Sequence, residues 1–402
     1  MRISDQEANR LRVLKEIRRA EPVARTELAA RTGLPTQAIS DIVADLVSRN
    51  LLIEEQCAAG GRGRPRIAVR INAAAVKVVG AYLFPGNTLA VHIADLRGES
   101  MFRASFAVAP VQSVEALADA VATQIANAIA SSGLAGADIH SVGIGLPAIV
   151  DSAGGILHWL PGFPAAPYPF AARIAAALRL PVSIDSAPDV LSRAEHWFGE
   201  DRQVDDFALI FVGYGIGLGQ YVDGVLRSGD HGVSPALAHM KMTLGDGPAC
   251  LCGARGCLMT YASVSGLVVR ISEIREMSRP TFGEMHDLLR IFAAEAQAGD
   301  RGAAQAFAQA GTALGTAIAN YINVWDPARL IVQVQDPAFC EMIAPHLFAA
   351  VHANTLSPLR DRARLELRIS EELNFSRGTA ALVIERLYRG RRAPVGSVER
   401  AA

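Results

Sequence analysis

Apolar residues in the first seventy positions recur at helical spacing and then change to alternation. Leu11, Leu14 and Ile17 mark one helix, which we expect to end before Pro22. The segments NLLIEE and RIAVRIN alternate apolar and polar residues, as half-buried strands do. The pattern therefore predicts helices first and a two-stranded hairpin at the end of this region.

The stretch ARTELAARTGLPTQAISDIVADLVSRN predicts a short helix, a tight turn and a longer helix. We expect Thr26 to cap the short helix, Gly33 to supply the turn, and Pro35 to stand in the first turn of the longer helix. The buried face of the longer helix is formed by Ile39, Ile42, Val43 and Leu46. This arrangement is typical of a helix-turn-helix, whose second helix enters the major groove of DNA.

The outward residues of the longer helix are candidates for DNA contact. Gln37 can pair with the edge of adenine, whereas Thr36 and Ser40 can bond bases or phosphates. Asp41 would repel phosphates unless it accepts a hydrogen bond from cytosine or turns away. The alternative interpretation is an αα-hairpin that only docks on the rest of the chain.

The loop GGRGRPR, between the two predicted strands, is a candidate wing. Its small residues would let it lie extended in a narrow minor groove, whose negative potential attracts Arg62, Arg64 and Arg66. An Arg/Gly linker without this role is the alternative. We predict a winged helix-turn-helix DNA-binding domain over residues 1–72.

From about residue 73 the pattern changes to alternating strands and helices with many glycine turns, which is typical of α/β architecture. Three strand–turn–strand units and a helix-rich close look like a duplicated actin/hexokinase-like (ribonuclease H-like) ATPase fold. We expect this body over residues 73–390, with two lobes at about 73–185 and 186–390. Residues 391–402 would be a C-terminal tail.

Composition favours a reduced cytoplasmic protein of two or three domains. The 402 residues are 50% hydrophobic, no apolar run is long enough to span a bilayer, and the start is charged rather than signal-like. Five cysteines are too few for a disulfide scaffold. Residues 1–72 hold 13 Lys and Arg against 9 Asp and Glu, whereas the remainder holds 26 against 31. A basic N-terminal region, the head, followed by an acidic remainder, the body, favours contact between the N-terminal region and nucleic acid.

Three of the cysteines lie within the eight residues CLCGARGC. With one histidine they form a set of one nitrogen and three sulfurs that suits tetrahedral zinc: His239, Cys250, Cys252 and Cys257. Four protein ligands without an adjacent acid or base indicate a structural ion, one per chain. Chance clustering and a redox cysteine pair are the alternatives.

Several stretches, in this order, carry a resemblance to a known family: GGRGRPR, VGIGLPAIVD, LPGF, GYGIGLG and HMKMTLGDGPACLCGARGC. Over nearly its whole length the chain resembles the ROK family, which contains repressors, open reading frames and sugar kinases. It looks like the NagC/XylR-type transcriptional regulators of that family. The resemblance assigns the His and Cys set to zinc.

The resemblance also implies that the kinase chemistry has been lost. Where the kinases carry an Asp and glycines in the first phosphate loop, this chain has Tyr82, Phe84 and Pro85. Tyr214 stands where the second loop usually has Thr, and the glycine pair expected around Gln333 is absent. Nucleotide binding is therefore expected to be lost.

The Asn-Asp pair of the family falls on Ser186 and Ala187, and an alanine cannot act as a general base. The nearby Asp185 and Asp189 would need a register shift that turns the carboxylate to the other side of the strand end. No catalytic residue is therefore predicted.

Four of the family's sugar-binding positions are also changed, to Trp159, Ser186, Ala236 and Met259, whereas His239 is the family's own histidine. Phe163 replaces the Trp of the family's Gly-Trp. A pocket lined by Trp159, Phe163 and Met259 would suit a less polar effector than a sugar, with His239 and Ser186 as the polar groups. It could equally be filled and bind nothing.

We therefore expect a transcriptional regulator, a repressor of carbohydrate-related genes, that binds double-stranded DNA at a palindromic operator. The body would form a homodimer, or a dimer of dimers, and would set the half-site spacing. The alternatives are a sugar kinase that keeps a DNA-binding head and a scaffold that binds a protein partner.

Overall fold

A computed structural model describes residues 5–57, 66–134, 136–199, 204–230, 232–243, 245–360 and 362–389. The N-terminal head contains three helices and a small sheet: α1 (Asp5–Ala20), β1 (Val23–Ala24), α2 (Arg25–Thr32), α3 (Thr36–Ser48), β2 (Leu52–Cys57) and β3 (Arg66–Ile71). Its strands are antiparallel, in the order β1-β3-β2. This is the predicted winged helix-turn-helix, with an additional short strand that the sequence pattern did not indicate.

The turn between α2 and α3 forms as predicted, because Gly33 adopts the left-handed conformation at φ 68° and its N–H bonds the carbonyl of Ala29. The prediction for Thr26 was wrong: α2 already begins at Arg25, and no side chain caps it. The apolar face of α3 is buried as predicted, which fixes which side of the helix faces outward.

The first lobe of the body is built on a five-stranded sheet in the order β10-β7-β4-β5-β6. Its elements are β4 (Lys77–Phe84), β5 (Thr88–Ala94), β6 (Ser100–Ala107), α4 (Val114–Ser131), β7 (Ile139–Leu146), β8 (Ile149–Asp151), β9 (Ile156–Trp159), α5 (Phe170–Leu178) and β10 (Val182–Ser186). Strands β4, β5 and β6 are antiparallel neighbours, while β4, β7 and β10 run parallel.

The second lobe repeats this plan, with a sheet in the order β13-β12-β11-β14-β15. The chain continues through α6 (Ala187–Phe198), β11 (Phe207–Val212), β12 (Ile216–Val222), β13 (Val225–Arg227), α7 (Leu258–Ala262), α8 (Val264–Ile274), α9 (Met285–Gln297), α10 (Arg301–Trp325), β14 (Arg329–Val334), α11 (Pro337–Asn354), β15 (Arg364–Ile369) and α12 (Glu372–Arg389). Strands β11, β12 and β13 are antiparallel neighbours, while β11, β14 and β15 run parallel. Two copies of one sheet plan confirm the duplicated actin/hexokinase-like fold.

Helices α6 and α12 pack against each other and hold the two lobes together. Helix α12 also lies on β4 and β7 of the first lobe, although it is the last helix described. A Cβ atom on Gly378 would lie 1.8 Å from the carbonyl oxygen of Val190, so the two helices cross in backbone contact. The chain therefore returns from the second lobe to close the first.

The head is docked on the body, and the two share one hydrophobic cluster. Leu14 and Ile17 of α1 belong to the same cluster as Trp197 of α6 and Tyr388 of α12. The guanidinium of Arg18 lies 3.8 Å from the centre of the Trp197 ring and donates to the Trp197 carbonyl. None of the helices described is both long and apolar enough to cross a bilayer.

Candidate functional site

The candidate DNA-reading residues lie at the N-terminal end of α3. Thr36 and Gln37 are exposed, and Ser40 is half-buried and donates to the Thr36 carbonyl at 3.0 Å. The Gln37 Nε2 donates to Asp41 Oδ1 at 2.8 Å. The Asp41 carboxylate, which would repel phosphates, thus accepts from Gln37 and holds the Gln37 amide on the outer face of α3.

That pairing leaves Gln37 with the groups needed at an adenine edge. One N–H of the amide is used by Asp41, while the second N–H and Oε1 stay available as a donor and an acceptor.

For the predicted wing, the structure describes the flanking strands: β2 and β3 pair from Leu52 with Ile71 to Cys57 with Arg66. Arg62 and Arg64 lie outside the described residues, and for Arg66 only the backbone position is described.

The four predicted metal ligands come together in one loop cluster. Their ligand atoms all lie within 4.8 Å of one another. The loop folds back at Gly253 and Gly256, both with positive φ, and the Cys250 N–H bonds the carbonyl of Ala254 at 2.8 Å. A β-bridge between Lys241 and Cys257 joins the last cysteine to the segment that follows His239.

The distances within this cluster fit a tetrahedral ion. Cys252 Sγ is 3.7 Å from Cys257 Sγ, and Cys250 Sγ is 3.7 Å from His239 Nδ1. Ligands at ~2.0–2.3 Å from a tetrahedral zinc are about 3.3–3.8 Å apart. Burial and the charge of Lys241 lower the pKa of His239, which favours the neutral imidazole that binds metals. The cluster is therefore able to hold a metal ion.

Lys241 adds a positive charge at the edge of the cluster. Its ammonium group donates to Cys257 Sγ at 2.9 Å, and that hydrogen bond raises the pKa of Lys241. A cation in hydrogen-bond contact offsets part of the charge that several thiolates bring to one ion. Sequence reasoning missed this residue, because a lysine two positions after a ligand belongs to no ligand pattern.

A cleft of about 990 Å³, counting space open to solvent, lies between the lobes beside the metal cluster. Four of the five predicted ligand-binding residues line it: Trp159, Ser186, His239 and Met259. Phe163 is not among the lining residues; it follows the turn at Gly162 and packs against the core of the first lobe. The structure thus brings the metal cluster and the cleft together through His239.

An aromatic cluster surrounds Tyr82 and Phe84, at which the resemblance sets the first phosphate loop. The Tyr82 ring centre is 4.7 Å from that of Phe84 and 4.4 Å from that of Phe375. Phe211 lies 5.4 Å from Phe375. Phe375 belongs to α12, almost 300 residues after Tyr82, so no local pattern could have shown that these rings meet. Rings without charge offer no cation or ordered N–H groups to a triphosphate.

The two aspartates near Ala187 are buried behind the cleft wall and hydrogen-bonded to other side chains. Asp185 is 1% exposed and bonds Arg193 at 2.6 Å, and Arg193 also bonds Glu385 at 3.0 Å. Asp189, also 1% exposed, accepts a hydrogen bond from Ser234 at 2.7 Å. Neither carboxylate lines the cleft. Ser234 does, and sequence reasoning missed it because no motif surrounds it.

Two family models match the chain. Residues 85–385 match the model described as the ROK family, and residues 5–63 match a model of the MarR family. The boundary between the two matches falls close to the junction between head and body. The first match covers most of the chain.

Related proteins extend over almost the same length. The xylose repressor of Caldicellulosiruptor bescii is 24% identical over 389 residues, which cover 91% of this chain and 96% of that protein. NagC of Escherichia coli K12, named a DNA-binding transcriptional dual regulator, is 22% identical over 341 residues, 84% of this chain and 83% of that protein.

Two solved structures show the same fold. One, described as a ROK family transcriptional regulator homologous to the E. coli MLC protein, aligns with a TM-score of 0.76 at 24% identity, covering 96% of this chain and 97% of that one. A ROK family glucokinase from Streptomyces griseus aligns with a TM-score of 0.61 at 22% identity, over 76% of this chain and 98% of its own. The chain, with its helix-turn-helix head and duplicated two-lobed body, belongs to the ROK family.

Proposed function

We propose that this protein is a DNA-binding transcriptional regulator, a repressor of carbohydrate-related genes, whose ROK body no longer phosphorylates sugars. The observation that carries the proposal is a helix-turn-helix, followed by the paired strands β2 and β3, in front of a body with aromatic rings around Tyr82, where the resemblance sets the first phosphate loop. The relatives that match over most of the chain are named as repressors or transcriptional regulators, which supports the same assignment.

In this proposal α3 reads the major groove through Thr36, Gln37 and Ser40, and the wing places Arg62, Arg64 and Arg66 in the adjacent minor groove. Two heads on a homodimer, or on a dimer of dimers, would meet the half-sites of a palindromic operator. The protein would work in the cytoplasm, where the DNA and a reducing environment are both present.

The body would act as the sensor, and its two central helices would connect the cleft to the head. Helix α6 begins beside Ser186 in the cleft and ends under α1, where Trp197 contacts Arg18. Helix α12 carries Phe375 in the cleft, and near its other end the Leu387 carbonyl accepts a hydrogen bond from Arg49 of the head. A ligand that shifts either helix would therefore alter the docking of the head.

Zinc is the metal we propose for the cluster of His239, Cys250, Cys252 and Cys257. Three sulfurs and one nitrogen at tetrahedral separation match the ligand preference of zinc. When bound, the ion would brace the loop between β13 and α7 and fix the side of the cleft that His239 forms. It would have no role as a Lewis acid, since four protein ligands complete its coordination.

The test is selection of operator fragments from genomic DNA by the purified full-length protein, followed by retardation assays at several salt concentrations. We expect a palindromic consensus, and we expect Gln37→Ala to weaken specific binding by about 1–3 kcal/mol and to relax the preference at one position of each half-site.

Glu27→Ala, an exposed change on α2, is the matched control and should leave that preference unchanged. If the wild-type protein retains no sequence-specific fragment, or if Gln37→Ala binds the selected operator like the wild type, the assignment of α3 as the reading helix is wrong.

A further inference from the structure

The interlobe cleft lacks the charged side chains that polar metabolites require. Among the described residues that line it there is no Asp, Glu, Lys or Arg. A sugar carries hydroxyl groups on all sides, and each one buried without a partner weakens binding. A phosphorylated ligand needs cations or clustered N–H groups. The lining therefore disfavours both classes of ligand.

Apolar rings form much of the lining instead. Tyr82, Phe84, Phe211 and Phe375 form one continuous aromatic cluster, with ring centres 4.4–5.4 Å apart. Trp159 and Met259 also line the cleft. Flat rings and a thioether favour a ligand that is itself aromatic or alicyclic, because stacking and burial of apolar surface then supply the affinity.

One polar group in the cleft has a defined hydrogen-bonding role. Ser234 Oγ donates to the buried Asp189 Oδ2 at 2.7 Å, and Ser186 Oγ lies 2.7 Å from Ser234 Oγ. Because the single proton of Ser234 goes to Asp189, Ser186 is the donor between the two serines. The Ser186 oxygen, which also lines the cleft, is therefore left as an acceptor for a ligand hydroxyl or N–H group.

His239 supplies the complementary group. Its Nδ1 lies 3.7 Å from Cys250 Sγ. When Nδ1 binds the metal proposed for the cluster, it uses its lone pair, so the ring proton lies on Nε2. His239 also lines the cleft, and Nε2 is the nitrogen left for a ligand. Ser186 and His239 thus offer an acceptor and a donor on a mostly apolar wall, to which Tyr214 and Gln335 add a hydroxyl and an amide group.

From this arrangement we propose that the effector is a neutral, mainly apolar ring compound that carries at least one hydroxyl group, such as an aromatic alcohol. Its hydroxyl proton bonds Ser186, an oxygen of the ligand accepts from His239, and its ring system lies against the aromatic cluster. The proposal rests on the proposed function, because it takes the cleft as the sensory site of a regulator.

The experiment is isothermal titration calorimetry on the full-length protein with a matched set of probes. 2-Naphthol supplies the ring and the hydroxyl proton, whereas 2-methoxynaphthalene supplies the same ring without that proton. Glucose, xylose and N-acetylglucosamine represent the sugars. We expect 2-naphthol to bind at least about fivefold more tightly than the methyl ether, since the latter leaves the Ser186 oxygen unpaired. The sugars should give no heat of binding.

Two variants locate the binding. Ser186→Ala removes the acceptor while Ser234 keeps its bond to Asp189, so the preference for 2-naphthol over the ether should disappear. Ala236→Glu introduces a charge at an exposed position of the cleft wall and should weaken both naphthalenes. Ile274→Glu, at a position 66% exposed on α8 and outside the cleft, is the matched control and should bind like the wild type.

Binding of a sugar by the wild-type protein, or equal affinity for both naphthalenes in the wild type, overturns the assignment of the ligand class. Unchanged binding in Ala236→Glu overturns the location of the ligand in the interlobe cleft.

The retardation assay on the same preparation separates this inference from the proposed function. A protein that binds its operator and sugars but no naphthalene is a regulator with a different effector, and one that binds 2-naphthol but no DNA is not a regulator.

Discussion

Asp189 illustrates how single residues in this body have acquired structural roles. Burial, and then the negative charge of Asp185, raise the pKa of Asp189 well above its ordinary value of 3.8. Its carboxyl group therefore stays protonated at pH values at which an exposed aspartate is charged. One oxygen of a protonated carboxyl group still accepts a hydrogen bond, so Asp189 accepts from Ser234 through Oδ2 and serves as a hydrogen-bonding support for the cleft.

Asp189→Asn should reveal this raised pKa through the pH dependence of stability. Between pH 3.8 and the raised pKa, the folded state holds a proton that the unfolded state has released, so wild-type stability falls as the pH rises through this window. Asparagine cannot titrate and still accepts from Ser234. The variant should therefore gain thermal stability relative to the wild type between pH 5 and pH 8.

The measurement is the melting temperature of both proteins across that pH range, with the exposed change Asp246→Asn as the control. A difference between Asp189→Asn and the wild type that is constant or shrinks toward pH 8 would contradict the protonated state of Asp189.

At the scale of elements, three contacts hold separate parts of the molecule together. Helices α6 and α12 cross in backbone contact at Gly378, the metal-ligand loop between β13 and α7 borders the cleft, and α1 docks on the end of α6. Each contact joins segments that are far apart in the chain. A change at any one of them should therefore alter more than its own element.

Arg18→Ala should loosen the docking of the head. Arg18 donates to the Trp197 carbonyl and lies over the Trp197 ring, and a charge-assisted hydrogen bond with a cation–π contact contributes about 2 kcal/mol. We expect a lower melting temperature and faster proteolysis near residues 72–76, at the junction of head and body. Arg31→Ala, an exposed change on α2, should show neither effect.

Cys252→Ser should remove the metal and disturb the loop that carries His239. We expect elemental analysis to find one zinc per wild-type chain and less in the variant, with a lower melting temperature and weaker operator binding, because the loop packs beside the interlobe cleft. Cys340→Ser, which lies outside the cluster, is the control. Metal-free wild-type protein of full stability would refute the structural role of the cluster.

The whole molecule combines a helix-turn-helix head with a body of the ROK family. Two sheets of the same plan flank the interlobe cleft, which holds no carboxylate among its described lining residues. The fold survives because it depends on the buried faces of the sheets and helices, while catalysis depended on a few side chains at strand ends.

We therefore expect no phosphorylation of hexoses, pentoses or amino sugars in the presence of Mg-ATP, measured by a coupled assay. Ala187→Asp alone should not restore turnover, because Tyr82 and its aromatic neighbours still occupy the phosphate-loop position. Turnover above background by the wild-type protein would show that the body is an active enzyme.

Much of this protein could be predicted from the sequence because the signals are local. The helical spacing of apolar residues placed the faces of α1 and α3, Gly33 marked the turn, and the spacing of Cys250, Cys252 and Cys257 indicated a metal cluster. Periodicity, turn chemistry and ligand spacing are determined by neighbours in the chain, so they can be recognised without the fold.

Contacts between distant segments were decided only by the tertiary structure. The pairing of Phe375 with Tyr82, the Ser186–Ser234–Asp189 chain and the docking of Arg18 on Trp197 each join separate elements. Phe163, which the sequence favoured for the cleft, packs instead against the first lobe. Sequence pattern determines which residues are buried, but only the packing of the two lobes and the return of α12 determine which buried residues meet.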